Sequence, residues 1–170
     1  CSSLTGDVKL SNPQITGALV SFYTAKITSL DMTGSSITSI GAWTLQGCGH
    51  ITNVVFSESM QSISDYACFY SALRVAKFLG PPVTLGTALN TPATLAVFVP
   101  RSPGYAALWD DYIKTNCTLT AASPEQRETF ASTYPGAKFS GYMINIPKTS
   151  AKLRYLCYWR HPTGLALLVR

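Results

Sequence analysis

Acidic side chains are few in this sequence and stop altogether after Glu128. Charged residues of both signs make up only 12% of its 170 residues, about half the usual globular share, which excludes a coiled coil. A disordered chain is excluded too, because 46% of the residues are hydrophobic, enough apolar surface to order a chain of this charge. Long apolar runs are missing: LAVFV at 95–99 and LALLV at 165–169 are the longest, far short of the ~18 residues of a membrane-spanning helix. Histidine occurs twice, at His50 and His161, and the cysteines stand far apart, at positions 1, 48, 68, 117 and 157. Neither set has metal-ligand spacing, so no metal site and no cofactor are expected.

What fills the space is hydroxyl: 18 Ser and 19 Thr. A surface that is hydroxylic rather than ionic suggests an extracytoplasmic protein. The length fits one domain, but the net charge of +5 is unevenly placed. Residues 1–100 hold four basic side chains against four acidic ones, and residues 101–170 hold nine against four. Such asymmetry marks two sub-structures with different surfaces, here expected within one compact unit.

Apolar pairs two residues apart recur along the first hundred positions: Val8 and Leu10, Leu30 and Met32, Val54 and Phe56, Ala76 and Phe78. Their first members are 22, 24 and 22 residues apart, and a further 22 lands on Phe98. Each pair is followed by a second one: Ile15 and Ala18, Ile37 and Ile40, Met60 and Ile63, Val83 and Leu85. Two short strands and a turn-rich return at this period make a solenoid coil, which buries its apolar face only by stacking on its neighbours. A β-sandwich also has regular strands. The solenoid is preferred because residues 27–50 and 51–72 share order of elements and several identities.

The stretch ITSIGAWTLQGCGHITNVVF resembles the BspA-type leucine-rich repeat. Ile40-Gly41 matches its Ile-Gly step, Thr44-Leu45 stands at its Ala-Phe and Gly47-Cys48 matches its Gly-Cys. The next unit keeps Ile63 and Ala67 but puts Cys68 at the Phe position, and the following one keeps only Leu85-Gly86 and Ala88-Leu89. Phe98-Val99-Pro100, followed by Tyr105 to Trp109, looks like a closing unit. The resemblance covers about residues 4–112. It implies a cell-surface or secreted protein of a host-associated microbe, acting as an adhesin for host matrix proteins or other cells.

Side chains alternate between the faces of a strand. With Leu30 and Met32 inward, stacking the coils leaves an outward column of Lys9, Asp31, Val55 and Lys77, flanked by Asp7, Ser29, Asn53 and Val75. A continuous, preformed surface of this kind is the natural place for a ligand on a solenoid. Lys9, Asp31, Asn53 and Lys77 are its candidate ligand-binding residues. A solvated sheet face that binds nothing would read the same way.

Beyond Pro100 the period changes. Tyr105, Leu108, Trp109 and Tyr112 follow helical spacing. Ser123-Pro124-Glu125-Gln126 carries the signature of a capping box opening a second helix. Tyr134-Pro135-Gly136 reads as a turn and Gly141 to Pro147 as a strand. Lys152–Arg160 and Leu165–Arg170 read as a hairpin around residues 161–164. One face of its first strand, Leu153, Tyr155, Cys157 and Trp159, is expected to close the end of the solenoid. The other, Lys152, Arg154, Leu156, Tyr158 and Arg160, is expected to stand outward as a basic, aromatic stripe. Lys152, Arg154, Tyr158 and Arg160 are therefore candidate residues for an anionic partner such as an acidic glycan or protein patch. Charges that merely blunt an edge strand would look alike. Nucleic acid fits poorly, since the excess is modest and no binding motif occurs.

Cys48 and Cys68 fall on core-facing repeat positions and are expected as buried thiols, although Cys48–Cys68 and Cys117–Cys157 bridges are conceivable. A chain beginning Cys-Ser-Ser is what lipoprotein signal cleavage leaves, with the lipid on Cys1 as the one possible membrane tether. A domain cut from a longer chain begins the same way. Catalysis finds little support: Asp110-Asp111 point apart on a helix, and Glu125 with Glu128 lie in a helix's first turns, where the macrodipole explains them. The expected fold is α+β, a short leucine-rich-repeat β-solenoid of four to five coils over 1–100 with a C-terminal α+β cap over 101–170. The expected function is non-catalytic binding or adhesion at the cell surface or in the secreted state, with a host matrix protein, a glycan or another surface protein as partner. The alternative is a structural module of a larger surface assembly, which an uncovered apolar face at residues 4–25 would favour. A glycan hydrolase would need two facing carboxylates in a cleft.

Overall fold

The computed structural model describes residues 4–19, 21–85, 87–89, 95–146 and 153–160. Four coils each contribute a strand to two parallel ladders: β1 (Thr5–Lys9) and β2 (Thr16–Leu19), β3 (Lys26–Asp31) and β4 (Ser36–Ile40), β5 (Asn53–Phe56) and β6 (Ser62–Ile63), β7 (Val75–Phe78) and β8 (Thr84–Leu85). β9 (Ala96–Pro100) follows β7 in the first ladder. Leu30 and Met32, Val54 and Phe56, and Ala76 and Phe78 are buried between the ladders, facing Ile37 and Ile40, Met60 and Ile63, and Val83 and Leu85. Phe56 and Phe78 stack with ring centroids 4.6 Å apart. The returning turns add a third wall, where Leu45 bonds Ala67 and Cys68 bonds Ala88 through the backbone.

The hydroxyl-rich composition has a physical role at the corners of the coils. Buried Ser35, Ser57 and Ser71 donate to the carbonyls of Met32, Ile37 and Cys68, and Thr44 donates to Gly41 and Leu19. These hydroxyls give the corner carbonyls a donor, beside a backbone N–H at Met32, Cys68 and Leu19, at no cost in buried charge. Gly80 is buried against the preceding coil, where a Cβ would overlap the carbonyl oxygen of Glu58.

Two positions depart from the repeat read in the sequence. The interval after β7 shortens, so Lys77 pairs with Phe98 and Ala76 with Val97. Val97 and Val99 take the core positions and Phe98 points outward. A one-residue slip exchanges the faces of a strand, and the all-apolar run LAVFV carries no alternation to reveal it. In the first coil Leu19 rather than Ala18 pairs with Ile40, and Ile15 remains 36% exposed.

The sheet continues past β9 into the C-terminal part, built from α1 (Ala106–Asn116), β10 (Thr118–Ala121), α2 (Pro124–Thr133), β11 (Phe139–Asn145) and β12 (Arg154–Trp159). Its order is β1-β3-β5-β7-β9-β12-β11-β10. β12 runs parallel to β9 and antiparallel to β11. α1 sends Trp109 and Ile113 into the solenoid core, with the Trp109 indole N–H donating to the Gly80 carbonyl at 2.9 Å. Leu108, expected on that face, is half exposed, because the inward stripe runs through Trp109 and Ile113. α2 opens on the expected capping box of Ser123 and Gln126.

This topology corrects the expected basic stripe. β12 is an interior strand of the sheet, and both its faces are covered. Leu156 and Tyr158 pack on the solenoid core, while Tyr155 and Cys157 lie in a second cluster with Phe130 of α2, Ala96, Ala122 and Met143. The face expected to close the solenoid is thus the one under α2, and the face expected to be outward turns inward. Arg154 goes with it, 1% exposed. The second half of the expected hairpin, 161–170, lies outside the described residues.

Candidate functional site

The outward column is assembled as the repeat spacing predicts. Lys9 pairs with Asp31, Asp31 with Val55 and Val55 with Lys77; beside them Asp7, Ser29, Asn53 and Val75 form the second row. Lys9 and Asn53 are exposed, while Asp31, Val55, Val75 and Lys77 are half-buried. Hydrogen bonds from the Thr28 and Ser29 hydroxyls, at 2.6 and 2.7 Å, hold the Asp7 carboxyl below its ordinary pKa. The Asn53 amide donates to the Thr52 hydroxyl. Asp31 accepts the Thr33 backbone N–H.

The same two rows run on beneath α2 as Phe98 and Cys157, and as Ala96 and Tyr155. The outer face is therefore polar along the coils and apolar where the C-terminal part covers it. At the seam, over the C-terminal ends of β9 and β12, lies a cavity of about 710 Å³, lined by Phe98, Arg101, Gly136, Ala137, Lys138, Tyr158, Trp159 and Arg160. The Trp159 indole N–H donates to the Phe78 carbonyl at 2.9 Å, and the Lys77 ammonium sits 4.1 Å from the ring centroid. Burial lowers the Lys77 pKa, with Asp31 opposing. Arg101 lies 3.8 Å over the Tyr158 ring and bonds Asp110 at 2.6 Å. Burial works against its charge, but Asp110 and Tyr158 together hold its pKa above the ordinary value. Lys138 and Arg160 are exposed at the rim. No acidic side chain lines the cavity among the described residues.

The structure thus brings Tyr158, Arg160 and Lys77 to one seam and strings Lys9, Asp31 and Asn53 along the open face. It does not bring Arg154 there. Its guanidinium donates to the carbonyls of Leu89 at 2.5 Å and Ile146 at 3.5 Å inside the core, and burial lowers its pKa. Lys152 and Cys1 lie outside the described residues. Cys48, Cys68, Cys117 and Cys157 are buried thiols. Burial pushes Cys68 and Cys157 up to about 12, so neither is a nucleophile at neutral pH. Asp110 is engaged by Arg101.

The family model of the BspA type leucine-rich repeat region matches residues 1–87 in 6 copies, half of the chain. The chain belongs to this family. No curated protein and no solved structure matches it. BspA-type leucine-rich-repeat proteins are often surface adhesion or binding proteins, typically surface-located or secreted, and their solenoid is typically a non-catalytic scaffold. No helix among the described residues is long and apolar enough to cross a membrane.

One surface of these BspA-type coils was not read from the sequence. On the returning turns Trp43 and Tyr66 stack face to face, 4.7 Å between centroids, and Phe69 packs edge-on against both. Trp43 is 43% exposed and Tyr70 74%. Trp43, Tyr66 and Tyr70 all adopt positive φ, between 53° and 61°, at a cost of about 1–3 kcal/mol each. The signal was present: Trp43 and Tyr66 occupy one slot of successive repeats, two residues before Leu45 and Cys68.

Proposed function

We propose that the chain is a non-catalytic binding protein of the cell surface or the secreted state, taking a host matrix protein, a glycan or another surface protein as partner. The observation that carries this is the seam: a preformed polar sheet face running without a break into a cavity of aromatic and basic side chains. Strands carry the polar face and the aromatic side chains Phe98, Tyr158 and Trp159, and Arg101, Lys138 and Arg160 stand one residue from a strand end, which removes part of the ordering cost of binding. The experiment is an array of matrix proteins and glycans probed with wild type and with Lys77→Glu/Arg160→Glu. Capture that both the variant and raised salt weaken is the expected result. Capture of nothing on the array overturns the reading.

The second reading, a module of a larger surface assembly, is favoured by one observation. Leu4 and Ile15 of the first coil are 38% and 36% exposed, and Val8, Leu10, Leu19 and Phe22 are only partly buried. Self-association that grows with protein concentration and is lost in Leu4→Ser/Ile15→Ser supports it; a monomer at all concentrations removes a second copy of this chain as the partner on that face.

A further inference from the structure

The cavity supports a more specific inference, which rests on the binding reading above. We propose that it seats a single acidic sugar, a pyranose ring bearing a carboxylate, carried on a glycan chain. Phe98 and Trp159, on the same face of the sheet, offer flat apolar surface against which the C–H face of a sugar ring stacks, removing apolar area from water on both partners. Tyr158 lines the wall beneath Arg101. The rings are held in advance: Trp159 by its bond to Phe78, Tyr158 by Arg101 above it and by its backbone N–H on the Lys138 carbonyl at 3.1 Å. The size lies within the roughly 300–1,000 Å³ of small-molecule sites.

The charges select the substituent. Arg160 and Lys138 stand exposed at the rim, and among the described residues neither is ion-paired. A guanidinium meets a carboxylate through two parallel hydrogen bonds, and a neighbouring ammonium adds a third. A polyanion fits less well, because nucleic acid and long sulfated chains need a continuous track of cations. Here the face beyond Lys77 turns to the neutral Val55 and then to Asp31 and Asp7, with Lys9 beside Asp31, so it offers a chain of phosphates or sulfates no continuous run of cations. One negative charge on a ring with an apolar face is what the site matches.

The test is titration of the full chain with 3′-sialyllactose, a hyaluronan tetrasaccharide and neutral lactose, with oligo(dT) and a Glu-rich peptide as competitors. At least one acidic sugar is expected to bind about tenfold or more tightly than lactose, by the worth of a charge-assisted hydrogen bond. Binding of sialyllactose alone assigns a terminal sialic acid, and of hyaluronan alone a uronic acid within a chain. Lys138→Gln/Arg160→Gln is expected to weaken binding by about tenfold. Lys26→Gln/Lys114→Gln, with the same change in net charge at two exposed lysines outside the site, leaves it within about twofold. Equal binding of lactose, no sugar bound at millimolar concentration, an unaffected rim variant, or preferential capture of oligo(dT) or peptide overturns the proposal. The two readings fail separately: array capture that persists without sugar binding removes the cavity proposal alone, and sugar binding with an empty array removes the surface-binding reading.

Discussion

Arg154 and Arg160 stand six residues apart with opposite fates, and the difference lies in what surrounds each guanidinium. Arg154 points between the ladders, where its donors meet the carbonyls of Leu89 and Ile146. Arg160 stands beyond the end of β12, exposed to water. Removing the first takes the guanidinium's hydrogen bonds away from two carbonyl oxygens in the core, whereas removing the second costs nothing in the core. Arg154→Leu is therefore expected to lower the free energy of unfolding by about 1–3 kcal/mol. Arg160→Leu is expected to stay within about 0.5 kcal/mol. Urea denaturation of both variants checks this, and equal midpoints would show that Arg154 has no structural role. From sequence the two looked equivalent, because strict alternation places both on one face and does not say which face is covered.

At the scale of elements, α2 decides how the outer face is divided. It buries a single residue of its own, Phe130, whose ring stacks on Phe139 and tilts against Tyr155. A ten-residue helix with so narrow an apolar contact is marginal by itself, so its capping box matters. Ser123→Ala removes the hydroxyl that accepts the Gln126 backbone N–H and is expected to cost about 1 kcal/mol. Hydrogen exchange should quicken over 124–133 while β3 and β5 stay protected; uniform quickening would mean that coils and helix open as one unit. The coils and this cap were legible because each leaves a local trace: a period of 22–24 residues, and Ser three residues before Gln. The face of β12, the slip at Phe98 and the edge strand β10 were not. β12 and β9 are apolar or aromatic on both sides once α2 covers them. β10 reads Thr-Leu-Thr-Ala and is exposed at all four residues, so burial imposes no pattern on it. The cavity was half legible for the same reason: Tyr158 and Arg160 stood out, but Arg101, Lys138 and Phe98 reach it only through the sheet order.

Among the described residues the interior of the whole molecule holds one charged side chain, Arg154, and otherwise neutral hydroxyl, amide, thiol and phenol groups, and the thiols and phenols set how its stability responds to alkaline pH. Burial pushes the Cys68 and Cys157 thiols up to about 12 from an ordinary 9.0. It also pushes the Tyr112 and Tyr134 phenols up to about 12 from 10.0. All four pKa values are raised in the folded state, so the folded chain holds protons that the unfolded chain releases. Below pH about 9 both states are protonated and the contribution is complete. As pH rises towards 12, only the unfolded state gains charge, and each buried thiol takes away roughly 1 kcal/mol per pH unit. The half-buried phenols add less, because solvent screens them. Urea midpoints should hide this slope at pH 7 and show it between pH 9 and 10.5. Cys68→Ala/Cys157→Ala should start lower, having lost packing, and fall less steeply over that interval. An unchanged slope in the double variant would mean that the thiols do not set the alkaline limit, leaving the phenols of Tyr112 and Tyr134 as the groups to replace next.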